Sequence, residues 1–165
     1  MPQDEPIPLF PNGGEPHPEA AVAPGYLTNH AARLFNRHVD ARLRGHNLSL
    51  ALIGPLLLVS WKGPMLQRDL VTFSSIKQPA MVALLDKLQA AGLIQRSPSQ
   101  TDKRAALIEL TEQGKDAAVL ARRTLLDANS EAMAGFTELE AEQFSSFLGR
   151  FSSNLTAASD KLYQK

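Results

Sequence analysis

Residues 92–111 read Gly92-Leu93-Ile94-Gln95-Arg96-Ser97-Pro98-Ser99-Gln100-Thr101-Asp102-Lys103-Arg104-Ala105-Ala106-Leu107-Ile108-Glu109-Leu110-Thr111. The order is a helix stop at a glycine, a short apolar strand, a polar basic tip rich in turn formers, and a longer apolar strand. It predicts a two-stranded wing, the kind of hairpin that carries arginine into a DNA groove. Taken alone, a tip holding Asp102, Lys103 and Arg104 reads equally well as solvated charge. Its meaning therefore depends on what lies upstream.

Upstream, Pro79 suits the first position of a helix, where its preset φ helps and its missing N–H costs nothing. The helix runs to Ala91, and Gly92 stops it. Met81, Leu84, Leu85 and Leu88 recur at i, i+3, i+4 and i+7 and form a core face. Ala80, Ala83, Lys87 and Ala90 are left on another face, small, methyl-rich and basic. Before this helix, Gly63-Pro64 opens a segment from about Met65 to Phe73, with Leu66, Leu70 and Phe73 on one face. Ser74-Ser75 supplies a polar turn between the two. Two short helices parted by a brief turn and followed by a hairpin spell a helix-turn-helix with a wing.

The flanks are helical. Leu27, Ala31, Leu34, Phe35, Val39 and Leu43 run close to helical spacing and predict a helix over 26–44, ended by Asn47 in a left-handed turn. Ser49 can cap the next helix, Leu50 to about Trp61, which is apolar nearly all round and so belongs in a core. Pro55 inside it is expected to remove a backbone bond and kink it. After the wing, Thr111 can cap a long helix to about Ala134. Thr137-Glu138-Leu139-Glu140 is a capping-box pattern that starts a last helix, striped by Phe144, Phe147, Leu148, Phe151 and Leu155. These helices carry more apolar surface than one small lobe needs, which points to a dimer interface, with packing inside the chain as the alternative.

The fold class is mainly α with a small two- or three-stranded β wing. The chain divides into an arm (1–24), an N-terminal dimerisation helix (25–48), a winged helix-turn-helix lobe (49–110) and C-terminal dimerisation helices (111–165). Seven of the eleven prolines fall in the arm, with Asp4, Glu5, Glu15 and Glu19 and no Lys or Arg. Such a composition buries too little to offset ordering entropy and predicts a flexible segment.

A length of 165 residues suits one core. The formal net charge is zero, but the acidic arm hides a modestly basic body, which permits a nucleic-acid partner without requiring one. Without cysteine the chain forms no disulfide and no thiolate zinc site. The apolar run Leu50 to Val59 is too short to span a bilayer, and the acidic N-terminus lacks the features of a signal peptide, so a cytoplasmic protein off the membrane is expected. His30, His38 and His46 are eight apart, not the i, i+4 spacing of paired metal ligands, and together with His17 they have no matched serine or carboxylate constellation. No catalytic residue, metal or cofactor is assigned, and the chain is not read as an enzyme.

Leu84-Leu85-Asp86-Lys87-Leu88, Gly92-Leu93-Ile94, Asp102-x-Arg104 and Leu110-Thr111-x-x-Gly114, in that order, resemble the MarR family of winged helix-turn-helix transcriptional regulators. The resemblance covers nearly everything from Tyr26 to Lys161. It departs at Leu66, where the family has a Thr or Ser cap, and at Ser74-Ser75, which replace an apolar residue and glycine. It implies that these segments are the recognition helix, the strand into the wing, the wing motif and the start of a dimerisation helix. A homodimer would bind a roughly palindromic double-stranded operator, most often as a repressor. A small aromatic or anionic effector could act between the dimerisation helices and the DNA-binding lobe. Trp61, His38, Arg33 and Arg37 could line such a cavity, although core or surface roles suit them better.

On that frame Gln78, Ala80 and Ala83 are the base-reading candidates, because Gln pairs bidentately with adenine and Ala contacts the thymine methyl. Lys77 and Pro79 place the helix N-terminus near phosphate, and Lys87 meets backbone. Arg104 enters the minor groove, oriented by Asp102, with Lys103 on phosphate. Arg96, Gln67 and Arg68 are candidate phosphate contacts or plain solvated surface. The rival reading is a winged-helix protein-interaction module that no longer binds DNA.

Overall fold

The computed structural model describes residues 22–74, 76–98 and 106–163. In chain order these form α1 (Pro24–Leu43), a 3-10 turn (Arg44–His46), α2 (Leu50–Lys62), β1 (Met65–Leu66), α3 (Gln67–Phe73), α4 (Gln78–Ala90), β2 (Ile94–Pro98), β3 (Ala106–Leu110), α5 (Glu112–Ala132) and α6 (Glu138–Tyr163). The chain divides into two compact units, one ending at Ala128 and one beginning at Asn129. The acidic arm up to Ala21 and the wing tip at 99–105 lie outside the described residues.

The turn from α1 to α2 follows from its side chains. Asn47 takes up the left-handed conformation at φ 56°, as its sequence position predicts. Ser49 accepts from the Leu52 N–H and caps α2, while Asp40 of α1 accepts from the Leu50 N–H at 2.6 Å. Two orphan donors of α2 are satisfied in this way, one locally and one by the preceding helix. α2 continues through Pro55, which stands inside the helix as the sequence places it. Pro55 is buried, whereas Ala51, whose carbonyl loses its helical donor, is exposed, so water can replace the missing bond.

The core of the first unit is one cluster. α2 contributes Ile53, Leu56, Leu57 and Val59, α4 contributes Met81, Leu85 and Leu88, and Val39, Leu43, Leu70, Ile94 and Ile108 complete it. In α1 only Val39 and Leu43 are buried, with Phe35 packed against the cluster, so the predicted stripe enters the core only at its C-terminal end. Met65-Leu66, expected to begin a helix, instead pair with Ile108 and Leu107 as a third, antiparallel strand, giving the sheet order β1-β3-β2. Pairing and the burial of Met65 outweigh a two-residue helical preference there. β2 and β3 are both five residues, in register from Ile94 opposite Leu110 to Pro98 opposite Ala106, rather than one short and one long.

α5 lays a small-residue face on this core: Gly114, Ala118, Ala121, Thr124 and Ala128 are its buried positions. Its start is tied down at one point. The Thr111 hydroxyl donates to the Gly92 carbonyl at 2.6 Å and accepts from the Gly114 N–H at 3.0 Å, while the Thr111 N–H donates to the Leu93 carbonyl at 3.1 Å. A Cβ on Gly114 would run into that same Leu93 carbonyl, a backbone group that cannot swing aside. Gly114→Ala is therefore expected to lower stability by roughly 1–3 kcal/mol or more, read from the urea midpoint, whereas Ala at the open helical position Gly149 is not expected to lower it and should raise it by up to about 1 kcal/mol.

In the second unit the capping box forms as its pattern predicts. The Glu140 carboxylate accepts from the Thr137 N–H and hydroxyl, both at 2.8 Å, and the Glu140 N–H donates back to the Thr137 hydroxyl at 3.3 Å. The backbone and side-chain bonds from Thr137 hold the Glu140 carboxyl below the ordinary glutamate value. A depressed folded-state pKa contributes stability that is present above the unfolded value and lost as pH falls through the folded one. Urea midpoints of the wild type and Glu140→Gln should therefore differ at pH 7 and converge at pH 3.

Candidate nucleic-acid interface

α3 and α4 are joined by a turn in which the Ser74 hydroxyl accepts from the Ile76 N–H at 3.3 Å. Ser75 lies outside the described residues. Lys77 is the N-cap of α4 in an extended conformation, Gln78 is the first helical residue and Pro79 the second, one place later than expected. No side chain caps this terminus, and the first turn holds no acid. The N-terminal amides and the positive end of the helix dipole are thus open to an anion.

Met81, Leu85 and Leu88 are inserted in the core, which fixes the roll of α4 about its axis. Lys77, Gln78, Pro79, Ala80, Ala83 and Lys87 are all exposed as a result. The two alanines leave room for close approach to another surface, and Gln78 and Lys87 flank them with an amide and a cation.

Of the other candidates, Gln67 is half-buried at the start of α3, and Arg68 is exposed with its Nε 3.9 Å from Asp69. Leu66 occupies the α3 N-cap and makes no side-chain cap bond. Arg96 on β2 is already engaged: its Nη1 donates to Asp86 Oδ1 on α4 at 2.6 Å, and its Nε and Nη2 are buried without partners. Asp102, Lys103 and Arg104 lie outside the described residues. Trp61 is 65% exposed, and Arg33, Arg37 and His38 are also at the surface.

Asp86 went unassigned in the sequence reading. It stands exposed on α4, an acid beside Lys87. The legible signal was an acid in an otherwise basic and apolar stripe, with an arginine ten residues later across a glycine turn. Among the described residues, no three His, Asp or Glu side chains are grouped to hold a metal, and no single helix is long and apolar enough to cross a membrane.

Residues 55–106 match the sequence model of the MarR family. A curated relative, the uncharacterized HTH-type transcriptional regulator YwoH of Bacillus subtilis, is 24% identical over 123 residues, covering 74% of this chain and 89% of that protein. Among solved structures, the repressor CouR bound to a 23-mer DNA duplex superposes with a TM-score of 0.75 at 22% identity, over 82% of this chain and 96% of that one. A cysteine-to-serine mutant of MarR from E. coli, complexed with operator DNA, gives 0.73 at 20% identity, over 82% and 99%. At these identities the structures establish the shared fold. α3, α4 and β2 fall inside the matched span, and over it the chain is similar to the MarR family of transcriptional regulators.

Proposed function

We propose that the protein is a cytoplasmic, homodimeric repressor that binds a palindromic duplex operator, one helix-turn-helix to each half-site. The observation that carries this reading is the exposed face of α4, whose roll is set by buried Met81, Leu85 and Leu88. Gln78, Ala80 and Ala83 then read base edges in the major groove, while Lys77, Lys87, Gln67 and Arg68 meet phosphate. The 99–105 segment carries Arg104 to the adjacent minor groove, with Asp102 orienting it and Lys103 on the backbone. A small aromatic or anionic effector, as the family resemblance suggests, would release the operator.

Dimerisation is supported by apolar side chains of the second unit that the described chain leaves uncovered. Phe144 is 42% exposed, Phe147 and Leu155 are 55%, and Leu139 is 63%. A stripe of this size on a long helix suits a symmetric interface with a second copy. Light scattering at micromolar concentration should give the mass of a dimer, and a stable monomer would count against the reading.

The two kinds of DNA contact separate by substitution. Gln78→Ala should cost about 1–3 kcal/mol at one symmetric pair of operator positions and relax preference there. Lys87→Ala should weaken every duplex alike and reduce the salt slope by about 1 per half-site. Titrating both against an operator and a base-substituted operator over a range of salt distinguishes them. A wild type without salt-dependent affinity for any duplex would favour a protein-interaction module instead.

A further inference from the structure

The ion pair between α4 and β2 joins the two elements expected to enter DNA. Asp86 lies on the exposed face of α4 and Arg96 is the third residue of β2. The Arg96 side chain is only 23% exposed, and among the described residues its Nη1 donates to Asp86 Oδ1 at 2.6 Å. Nε and Nη2 are buried with no acceptor. A guanidinium so placed gives up hydration at two nitrogens and is compensated through the third, so its position depends on the Asp86 charge.

The place of the pair in the hairpin matters. At its base, β2 is fixed by the Gly92 turn and by buried Ile94, and β3 by buried Ile108 and by Thr111. Beyond Ile94, toward the tip, Gln95 is exposed and tied to Glu109 of β3 at 3.4 Å, which holds strand to strand but not strand to helix. Arg96 is the next residue outward and reaches back to α4.

We propose that Asp86 is a positioning residue for DNA recognition: through Arg96 it fixes the wing's first strand against the recognition helix, setting the offset between the two groove-reading elements. It also keeps Arg96 from acting as a free phosphate-binding cation. The proposal rests on the DNA-binding reading for its functional part, while its mechanical part can be measured without DNA.

The test uses the full chain with Asp86→Asn, which keeps the shape and removes the charge, and Asp86→Glu, which restores the charge on a longer stem. Without DNA, amide hydrogen exchange at Gln95, Arg96 and Ser97 should quicken at least tenfold in Asp86→Asn. Residues 84–88 of α4 and 118–128 of α5 should keep wild-type protection, which shows that the variant is folded. Unchanged exchange at 95–97 overturns the proposal whatever the DNA result.

With DNA, affinity for the operator relative to a random duplex of equal length should fall about tenfold in Asp86→Asn at matched salt, with the salt slope no shallower than wild type. Asp86→Glu should recover most of that discrimination. Operator affinity equal to or tighter than wild type would make Asp86 a solvated acid and overturn the proposal. So would a loss confined to one base pair, which would make Asp86 a base reader. Quickened exchange at 95–97 in a protein whose wild type binds no duplex would uphold the strut and overturn the DNA-binding reading instead.

Discussion

The close approach of α5 to the turn after α4 is the constraint on which the first unit depends. Thr111 meets Gly92 and Leu93 through two hydrogen bonds and is itself held by the Gly114 N–H, and Gly114 meets Leu93 in a backbone contact that no side chain could enter. The end of α4, the start of β2 and the start of α5 are thereby gathered at one point. Each is short or exposed enough to be marginal by itself; tied together, they share one burial. Leu93 also donates to the Leu88 carbonyl, so the turn is fixed from the α4 side as well. A glycine at 114 is needed for space rather than for an unusual φ, while Gly92 is needed for its φ of 70°.

With that point fixed, α4 is aimed by burial more than by helix propensity. Three large side chains enter the core, each worth roughly 1.5–3 kcal/mol of transfer free energy. A single exposed ion pair is worth about 1 kcal/mol or less. The hierarchy is clear: apolar contacts set which face of the helix looks outward, and polar groups then tune what that face presents. A rotation of one residue about the helix axis would bring Val82 toward the core and lift Met81 out of it, so the outward face has little freedom.

Much of this was legible in the residues because the signals are local. Gly92, Asn47, Ser49, the cap from Thr111 to the Gly114 N–H and the Thr137–Glu140 box all act within a few positions of themselves, and each appears where its chemistry places it. The i, i+3, i+4, i+7 spacing of Met81, Leu84, Leu85 and Leu88 likewise found the buried face, with Leu84 half-buried at its margin. What was hidden depends on pairing across the chain. The strand character of Met65-Leu66 exists only because Leu107 and Ile108 come to lie beside them, and a two-residue strand leaves no periodicity to read. The same holds for Asp86, whose partner is ten residues away around a turn.

The sheet has a consequence for how copies of this chain can stick together. Its two outer strands are poor templates for a further strand: β1 is only two residues long and follows Pro64, and β2 ends in Pro98, which has no N–H to offer. Edge-to-edge growth into an extended ribbon is thus discouraged on both sides. Most of the large uncovered apolar side chains, among them Val119, Leu126, Phe144 and Phe147, lie instead on helices, whose backbone groups are already spent within the helix. Contacts made there are between side chains, so crowding in a cell does not draw these copies together by adding strands to the sheet.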